Sequence, residues 1–190
     1  MNYLCYRLSE LNHKAVNEDA LTTEERDFSP TRRKVRALLR EELARRLHIK
    51  PSEVQFSYNE HGKPMVEGLF FNISHSADLA CFAFHDAPIG VDVQQIRPTT
   101  NAAKLAPRLF CAEQLEQLKQ ENFHDRNFFF CWSIAEALVK FYGTTIWQAS
   151  EYPFVLKQHG VQTLFENAPM VELFEPMTGY VGAIAYKLMA

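Results

Sequence analysis

The stretch Phe128-Phe-Phe-Cys-Trp-Ser-Ile-Ala-Glu-Ala-Leu-Val-Lys-Phe-Tyr142 is apolar on nearly every side when it is drawn as a helix. A helix of this kind is normally buried all round, so it is expected to form the centre of the fold. We expect it to begin at Asp125 or Asn127. Gly143 suits the left-handed position that follows a helix, which predicts its end at Tyr142.

Glu136 and Lys140 are the only charges within residues 128–142. At a spacing of four residues they share one face, and as an ordinary surface ion pair they would contribute about 0.3–0.5 kcal/mol. A helix with so little polar surface offers few places for such a pair, which favours a functional site. There a carboxylate can hold a hard cation or accept a proton, and a lysine can neutralise phosphate charge.

Residues 89–96 alternate between apolar and mixed positions, which is typical of a strand. Ile89, Val91 and Val93 share one face, and Asp92 and Gln94 lie side by side on the other. Burying Asp92 without a partner would cost several kcal/mol, so it needs a metal or a cation. The alternative is a solvated aspartate at the end of a strand. Residues 79–84 are apolar on both faces, which predicts a central strand.

The remaining pattern predicts an α+β fold. Ser29-Pro30 is typical of a helix start, and helical spacing then continues to about Leu47. Residues 102–119 are expected to be helical with an interruption at Pro107, and the first 28 residues show only weak periodicity. Further strands are expected near residues 54–58, 70–73, 152–156, 161–165, 170–174 and 180–188. Each half is thus a helix followed by strands, which predicts two pseudo-symmetric subdomains, residues 1–97 and 98–190. Together they form one functional unit with the site in the cleft between them.

Composition limits the classes of protein to consider. The chain has 190 residues, 47% of them hydrophobic, and a formal charge of −3, which excludes a protein that wraps nucleic acid through bulk charge. Residues 31–50 differ from the rest, with eight basic and two acidic residues against twelve and twenty-one elsewhere. We therefore expect that this one segment could bind a polyanion.

Cysteine usage and hydropathy point to the cytoplasm. Cys5, Cys81, Cys111 and Cys131 have no C-x-x-C spacing, so all four are expected to be reduced core thiols. No apolar run approaches the roughly 18–20 residues that a membrane span needs, and no signal-peptide pattern occurs at the start. We therefore expect a cytoplasmic protein that binds no membrane.

The candidate polar residues favour a phosphorylated substrate with Mg²⁺. Ser74 and His75 are adjacent on an extended segment, so they point to opposite faces and are not a nucleophile–base pair; His75 alone could be structural. No G-x-S-x-G, Walker A or G-x-G-x-x-G pattern occurs. Mg²⁺ binds through one or two carboxylates and substrate phosphates. The chain has groups that suit such a complex: a basic helix, a basic turn at Lys63, a histidine, a strand aspartate and a helix with a glutamate and a lysine.

Four motifs carry a family resemblance by their order and spacing. They are His61-Gly-Lys-Pro64, Phe71-Asn-Ile-Ser-His-Ser76, Pro88-Ile-Gly-Val-Asp-Val93 and Trp132-Ser-Ile-Ala-Glu-Ala-Leu-Val-Lys140. The chain resembles the 4'-phosphopantetheinyl transferases, in particular the longer, monomeric type typified by the surfactin-synthetase activator. The similarity is strong over roughly residues 30–145.

The resemblance implies a Mg²⁺-dependent holo-[acyl-carrier-protein] synthase, or 4'-phosphopantetheinyl transferase. Such an enzyme transfers the 4'-phosphopantetheine arm of coenzyme A (CoA) to a serine of an apo acyl or peptidyl carrier protein and releases adenosine 3',5'-bisphosphate. It implies a pseudo-twofold monomer with CoA in the cleft. By motif position Asp92 and Glu136 are metal ligands, Glu136 is also the base towards the serine, and Lys140 contacts the pyrophosphate.

The resemblance also implies the residues that bind CoA. His75 and Ser74 are expected at its phosphates and Lys63 at its nucleotide end. An arginine expected on the 3'-phosphate aligns near Thr31, so that role falls to Arg32 or Arg33.

Two departures keep other functions open. Gln94 stands where many relatives have a glutamate, which leaves the third metal position to an amide or a water, and Ala135 replaces a lysine. The alternatives are a relative that binds CoA or a carrier protein without catalysis, and a Mg²⁺-dependent nucleotide hydrolase.

Overall fold

The computed structural model describes residues 2–11, 18–99 and 101–188 and has an α+β architecture, as expected. The strands are β1 Asn2–Arg7, β2 Ser57–Tyr58, β3 Pro64–Met65, β4 Phe70–Ser76, β5 Leu79–His85, β6 Ile89–Gln95, β7 Phe154–Lys157, β8 Gly160–Thr163, β9 Met170–Phe174 and β10 Tyr180–Tyr186. The α-helices are α1 Thr23–Arg26, α2 Pro30–Leu47, α3 Ala102–Leu109, α4 Ala112–Gln120 and α5 Asp125–Tyr142. Within the described residues, no helix combines the length and hydropathy that crossing a membrane requires.

The first sheet has the order β1-β5-β4, and both pairings are antiparallel. Strand β5 lies in the middle and is buried on both faces almost throughout, which confirms the prediction for residues 79–84. Strand β1 was not predicted, because it is a half-exposed edge strand with no clear alternation of polar and apolar residues.

The pairing of β1 with β5 corrects the expectation that all four cysteines are reduced. Cys5 and Cys81 face each other directly in the register and form a disulfide, with 4.2 Å between their Cα atoms. They are 76 positions apart in the sequence, so their contact depends on a strand that the sequence did not reveal. Cys111 and Cys131 are free, and burial raises the pKa of the Cys131 thiol.

Helix α2 starts and ends as the sequence predicts. The Ser29 side chain accepts a hydrogen bond from the Arg32 N–H, Pro30 occupies the first turn, and His48 is left-handed after Leu47. Its apolar residues pack on the first sheet in one core cluster.

Most arginines of α2 form ion pairs with carboxylates of the protein. Arg36 and Arg40 are buried and flank the buried carboxylate of Glu25, at 3.5 and 2.8 Å. Farther along, Arg45 and Arg46 both contact Glu42. These guanidinium groups are paired within the protein, whereas Arg32 and Lys50 of the segment 31–50 are exposed, so binding of a polyanion by this segment stays a prediction.

The second sheet has the order β6-β10-β9, also antiparallel, and α5 packs across β6 and β10. Helix α5 runs from Asp125 to Tyr142 with Gly143 left-handed at its end, as predicted. The predicted interruption at Pro107 is wrong. Pro107 lies inside α3, and the break between α3 and α4 comes where Phe110 adopts an extended backbone. Strand β6 pairs within this second sheet, whereas the division after residue 97 stays a prediction.

Side chains of β4 join the two sheets along the edge of β6. Alternate residues of β4 accept hydrogen bonds from alternate backbone N–H groups of β6: Asn72 Oδ1 from Val91, Ser74 Oγ from Val93 and Ser76 Oγ from Gln95, at 2.8–3.2 Å. Three short polar side chains thus replace a backbone ladder, so the sheets meet at a fixed register.

Gly90 brings β6 close to α5. A Cβ at this position would lie 2.0 Å from the Ala137 carbonyl oxygen and 2.5 Å from the Phe141 nitrogen, so only glycine permits this contact. Asp92 is two residues farther along β6 and therefore faces the same helix.

We expect Gly90→Ala to lower the free energy of unfolding by about 3 kcal/mol or more, because a methyl group there meets helix backbone that cannot move aside cheaply. Urea denaturation would measure the change. Gly179→Ala is the control, since that glycine has a positive φ of 83° and open space around it, and backbone strain alone should cost about 1 kcal/mol. Equal losses in the two variants would contradict the close contact.

Candidate functional site

Asp92 is buried beneath α5 with 1% of its surface exposed. Its Oδ1 accepts hydrogen bonds from Ser74 Oγ and Lys140 Nζ, both at 2.7 Å, and its Oδ2 accepts one from Gln94 Nε2 at 2.9 Å. The carboxylate is therefore fully paired inside the protein, and the alternative of a solvated aspartate is wrong. The Gln94 contact also confirms that Asp92 and Gln94 share a face of β6.

Lys140 reaches across from α5 to β6. Besides Asp92, its ammonium lies 3.3 Å from Ser74 Oγ and 3.3 Å from the Val91 carbonyl oxygen. Glu136 Oε2, on the same helix, is 3.9 Å away. The nearest partner of Lys140 is thus on another element, so the alternative of an isolated surface pair along α5 does not describe it.

Glu136 lies at the wall of a cavity of about 320 Å³ together with Lys140 and the turn that contains Lys63. Burial raises the pKa of its carboxyl group, the neighbouring Asp92 raises it further, and Lys140 opposes both. A carboxylate with a raised pKa is a stronger base than an exposed glutamate.

Ser74 and His75 point to opposite faces of β4, as predicted. Ser74 is buried, and its hydroxyl already donates to Asp92 and accepts from the Val93 N–H. His75 is exposed. Partial desolvation lowers the pKa of His75, the charges of Lys140 and Arg32 lower it further, and Asp92 raises it. The charges of Arg32, Lys140 and Asp92 therefore all act on His75.

The two candidate arginines differ in their surroundings. Arg32 is exposed and stacks on Phe28, with its guanidinium carbon 3.9 Å from the ring centroid. Arg33 instead contacts Glu18 at 3.2 Å and the Phe28 carbonyl oxygen, also at 3.2 Å. Of the two, only Arg32 is exposed, and its charge lowers the pKa of His75.

Lys63 does not present its ammonium to the cavity as a free group. It donates hydrogen bonds to the carbonyl oxygens of Ile89 and Lys140. Asn59, which the sequence analysis did not single out, bonds to the Gly143 carbonyl oxygen at 2.7 Å. An asparagine just before a His-Gly turn is a common turn residue, and this was the only signal for it.

A larger cavity of about 500 Å³ shares Lys63, Pro64 and Gly143 with the smaller one. Its wall is mostly apolar and contains neither Glu136 nor Lys140. The smaller cavity is therefore the candidate site.

The described residues contain no group of three or more histidine, cysteine or acidic side chains that could hold a metal. Asp92 and Glu136 nevertheless both lie within 4 Å of one ammonium nitrogen, that of Lys140. Two carboxylates that share one cation fit Mg²⁺, which takes one or two carboxylates and completes its shell with water and phosphate oxygens.

Comparison with known proteins points to one family. A sequence model of the 4'-phosphopantetheinyl transferase superfamily matches residues 88–179, which contain Asp92, Glu136 and Lys140. The 4'-phosphopantetheinyl transferase HetI of Nostoc sp. is 31% identical over 185 residues, covering 90% of this chain and 78% of that protein.

Two relatives from Bacillus match over a shorter region. The 4'-phosphopantetheinyl transferase psf-1 of Bacillus pumilus is 34% identical over 59% of this chain and 50% of its own length. The 4'-phosphopantetheinyl transferase Sfp of Bacillus subtilis is 32% identical over 54% of this chain and 47% of its own. With the four motifs, the α+β fold and these matches, the chain belongs to the 4'-phosphopantetheinyl transferase family.

Proposed function

We propose that this protein transfers the 4'-phosphopantetheine arm of CoA to a serine hydroxyl of an apo acyl or peptidyl carrier protein and releases adenosine 3',5'-bisphosphate. The observation that carries the proposal is the convergence of Asp92, Glu136 and Lys140 in one partly buried cluster. Phosphoryl transfer depends mainly on positioning and on neutralising charge, and this cluster supplies carboxylates and a cation at one place.

Asp92 and Glu136 are the proposed ligands of Mg²⁺, with Gln94 as a third contact, directly or through a water. When bound, Mg²⁺ neutralises phosphate charge during the transfer. The Gln94 amide already contacts Asp92, so it lies within reach of an ion held there. With an amide in place of a carboxylate, the site has one negative charge fewer.

Glu136 is the proposed base. Its oxygen accepts the proton of the carrier serine while the serine oxygen forms a bond to the phosphorus next to the pantetheine arm. The bond from that phosphorus to the bridging oxygen breaks, and the nucleotide leaves as adenosine 3',5'-bisphosphate. Burial raises the pKa of Glu136, which makes it a stronger base than an exposed glutamate and suits this role. Lys140 is the proposed partner of the pyrophosphate.

His75 and Arg32 are the proposed ligands of the CoA phosphates. Both are exposed, and their charges act on each other. Behind Arg32, the buried group of Arg36, Arg40 and Glu25 has one positive charge more than negative, and Arg36 Nη1 has no hydrogen-bond partner among the described residues. This surplus of positive charge favours an anion at Arg32.

A second candidate function is a relative that binds CoA or a carrier protein without catalysis, which Gln94 and Ala135 favour. Incubation of the protein with CoA, Mg²⁺ and an apo carrier protein, followed by mass spectrometry of the carrier, separates the two. Transfer adds the mass of one phosphopantetheine group to the carrier. An unmodified carrier at every Mg²⁺ concentration would contradict the proposed activity, and hydrolysis of CoA without transfer would favour a nucleotide hydrolase. Action as a cytoplasmic monomer stays a prediction.

Glu136→Gln is expected to lower the rate of transfer by about 100-fold or more, because the amide cannot accept the serine proton and is a poorer metal ligand. The mass assay measures this rate. Glu151→Gln, an exposed position outside the cavity, is the matched control and should keep the rate of the wild type. An undiminished rate in Glu136→Gln would exclude this residue as the base.

The same variant should fold normally. Burial raises the folded-state pKa of Glu136 above its unfolded value, so the folded protein favours the protonated carboxyl group. Its contribution to the free energy of unfolding is complete below the unfolded pKa and is lost as pH rises through the folded pKa. Glutamine has no such loss, so Glu136→Gln should be at least as stable as the wild type at neutral pH. The difference should shrink as pH falls to about 4, the ordinary carboxyl range.

Arg32→Ala is expected to raise the KM for CoA about tenfold while changing that for dephospho-CoA less than about twofold, because only CoA has the 3'-phosphate. Steady-state kinetics with the two substrates measures the difference. Arg33→Ala is the matched control, since that guanidinium is held by Glu18, and it should affect both substrates alike. Equal losses for CoA and dephospho-CoA in Arg32→Ala would remove it from the phosphate site.

Gln94→Glu is expected to lower the Mg²⁺ concentration for half-maximal rate by about threefold or more, since it adds a negative charge beside Asp92. Without Mg²⁺ the same charge repels Asp92, so the variant should melt below the wild type and gain more from added Mg²⁺. Gln95→Glu, exposed on the opposite face of β6, is the control. If both variants respond alike to Mg²⁺, Gln94 does not approach the ion.

A further inference from the structure

The turn between β2 and β3 is hydrogen-bonded to the end of α5, the helix that carries Glu136 and Lys140. This turn, residues 59–63, belongs to the first half of the chain, and the end of α5 belongs to the second. Two of its side chains, Asn59 and Lys63, contact main-chain carbonyl groups at that end. The last turn of a helix leaves its carbonyl oxygens without helical partners, so donors from elsewhere are needed there.

Asn59 serves the turn and the helix with different atoms. Its Oδ1 accepts from the N–H groups of His61 and Lys63, at 3.1 and 2.8 Å, which closes the turn. Its Nδ2 donates to the Gly143 carbonyl oxygen at 2.7 Å, which ties the turn to α5. One side chain therefore has two separable roles.

The ammonium group of Lys63 makes the second contact between this turn and α5. It donates to the carbonyl oxygen of Lys140 in the last turn of α5 and to that of Ile89 at the start of β6. A cation at the carboxyl end of a helix is favoured by the helix dipole. Burial, and to a smaller extent the charge of Lys140, lowers the pKa of Lys63 to about 8, which agrees with an ammonium held inside the protein.

Gly143 makes this close contact possible. It has a φ of 74°, and a Cβ there would lie 2.8 Å from Asn59 Nδ2. The glycine thus ends α5 and also makes room for the amide that holds the helix end.

We infer that Asn59 and Lys63 are positioning residues that hold the end of α5, and with it Glu136 and Lys140, in register with Asp92 on β6. Lys63 then acts on transfer through the helix backbone, and not as a ligand of the CoA nucleotide. This inference rests on the proposed transferase function for its kinetic part only. The structural part, that the turn orders the helix end, can be tested without any activity.

The variant Asn59→Asp separates the two roles of Asn59. Aspartate keeps acceptor oxygens for the His61 and Lys63 N–H groups but has no donor for the Gly143 carbonyl. Hydrogen exchange should then be about fivefold faster at the Gly143 and Thr144 amides, which close the end of α5. Glu60→Gln, an exposed neighbour in the same turn, is the matched control and should leave exchange unchanged.

Kinetics and binding then distinguish positioning from CoA binding. For both Asn59→Asp and Lys63→Met, we expect kcat to fall about fivefold or more while the Kd of CoA, measured by calorimetry, changes less than about twofold. A direct phosphate ligand would instead raise that Kd about tenfold or more. If Lys63→Met fails to fold, Asn59→Asp alone decides the inference.

Two results would overturn the inference. One is unchanged exchange at the end of α5 in Asn59→Asp. The other is a raised Kd for CoA with an unchanged kcat in Lys63→Met. If the wild type transfers nothing, the proposed function fails, but the exchange and CoA-binding measurements still test whether the turn holds α5.

Discussion

The burial of Asp92 is the constraint on which the rest of this structure depends. A carboxylate with 1% of its surface exposed must be fully paired, because an unpaired charge in the interior costs several kcal/mol. Its three partners come from three elements: Ser74 from β4, Gln94 from β6 and Lys140 from α5. Satisfying one charge therefore fixes a strand of the first sheet, a strand of the second and the central helix relative to one another.

Backbone features support this arrangement. Gly90 allows α5 to approach β6 closely, and the polar side chains of β4 fix the register of β6. Asn59 and Lys63 donate hydrogen bonds to carbonyl groups at the same end of the helix. The position of Lys140 thus depends on two kinds of contact. One is the close packing of α5 on Gly90, which has no Cβ, and the other is the set of hydrogen bonds from Asn59 and Lys63 in the other half of the chain. Removing any of these contacts should therefore disturb the hydrogen bonds of Asp92.

The sequence predicted the elements whose signals are local. The apolar helix, its end at Gly143, the Ser29 cap and the shared face of Asp92 and Gln94 follow from periodicity or from one residue type. It did not predict contacts that join distant segments. Strand β1, the Cys5–Cys81 disulfide and the pairing of Arg36 and Arg40 with Glu25 all depend on which elements meet. The same holds for Asn59, whose partner lies 84 residues away.

The charges of the site explain why Asp92 pairs with one cation and two neutral groups. With Gln94 in place of a glutamate, the cluster contains two carboxylates and the Lys140 ammonium, and burial of Glu136 already favours its protonated form. A third carboxylate would add repulsion that one ammonium cannot offset in a partly buried place. The amide instead donates a hydrogen bond to Asp92 and is neutral. The free protein can therefore bury Asp92 using Lys140 alone as counter-charge, and an incoming phosphate that draws Lys140 away must be accompanied by another cation.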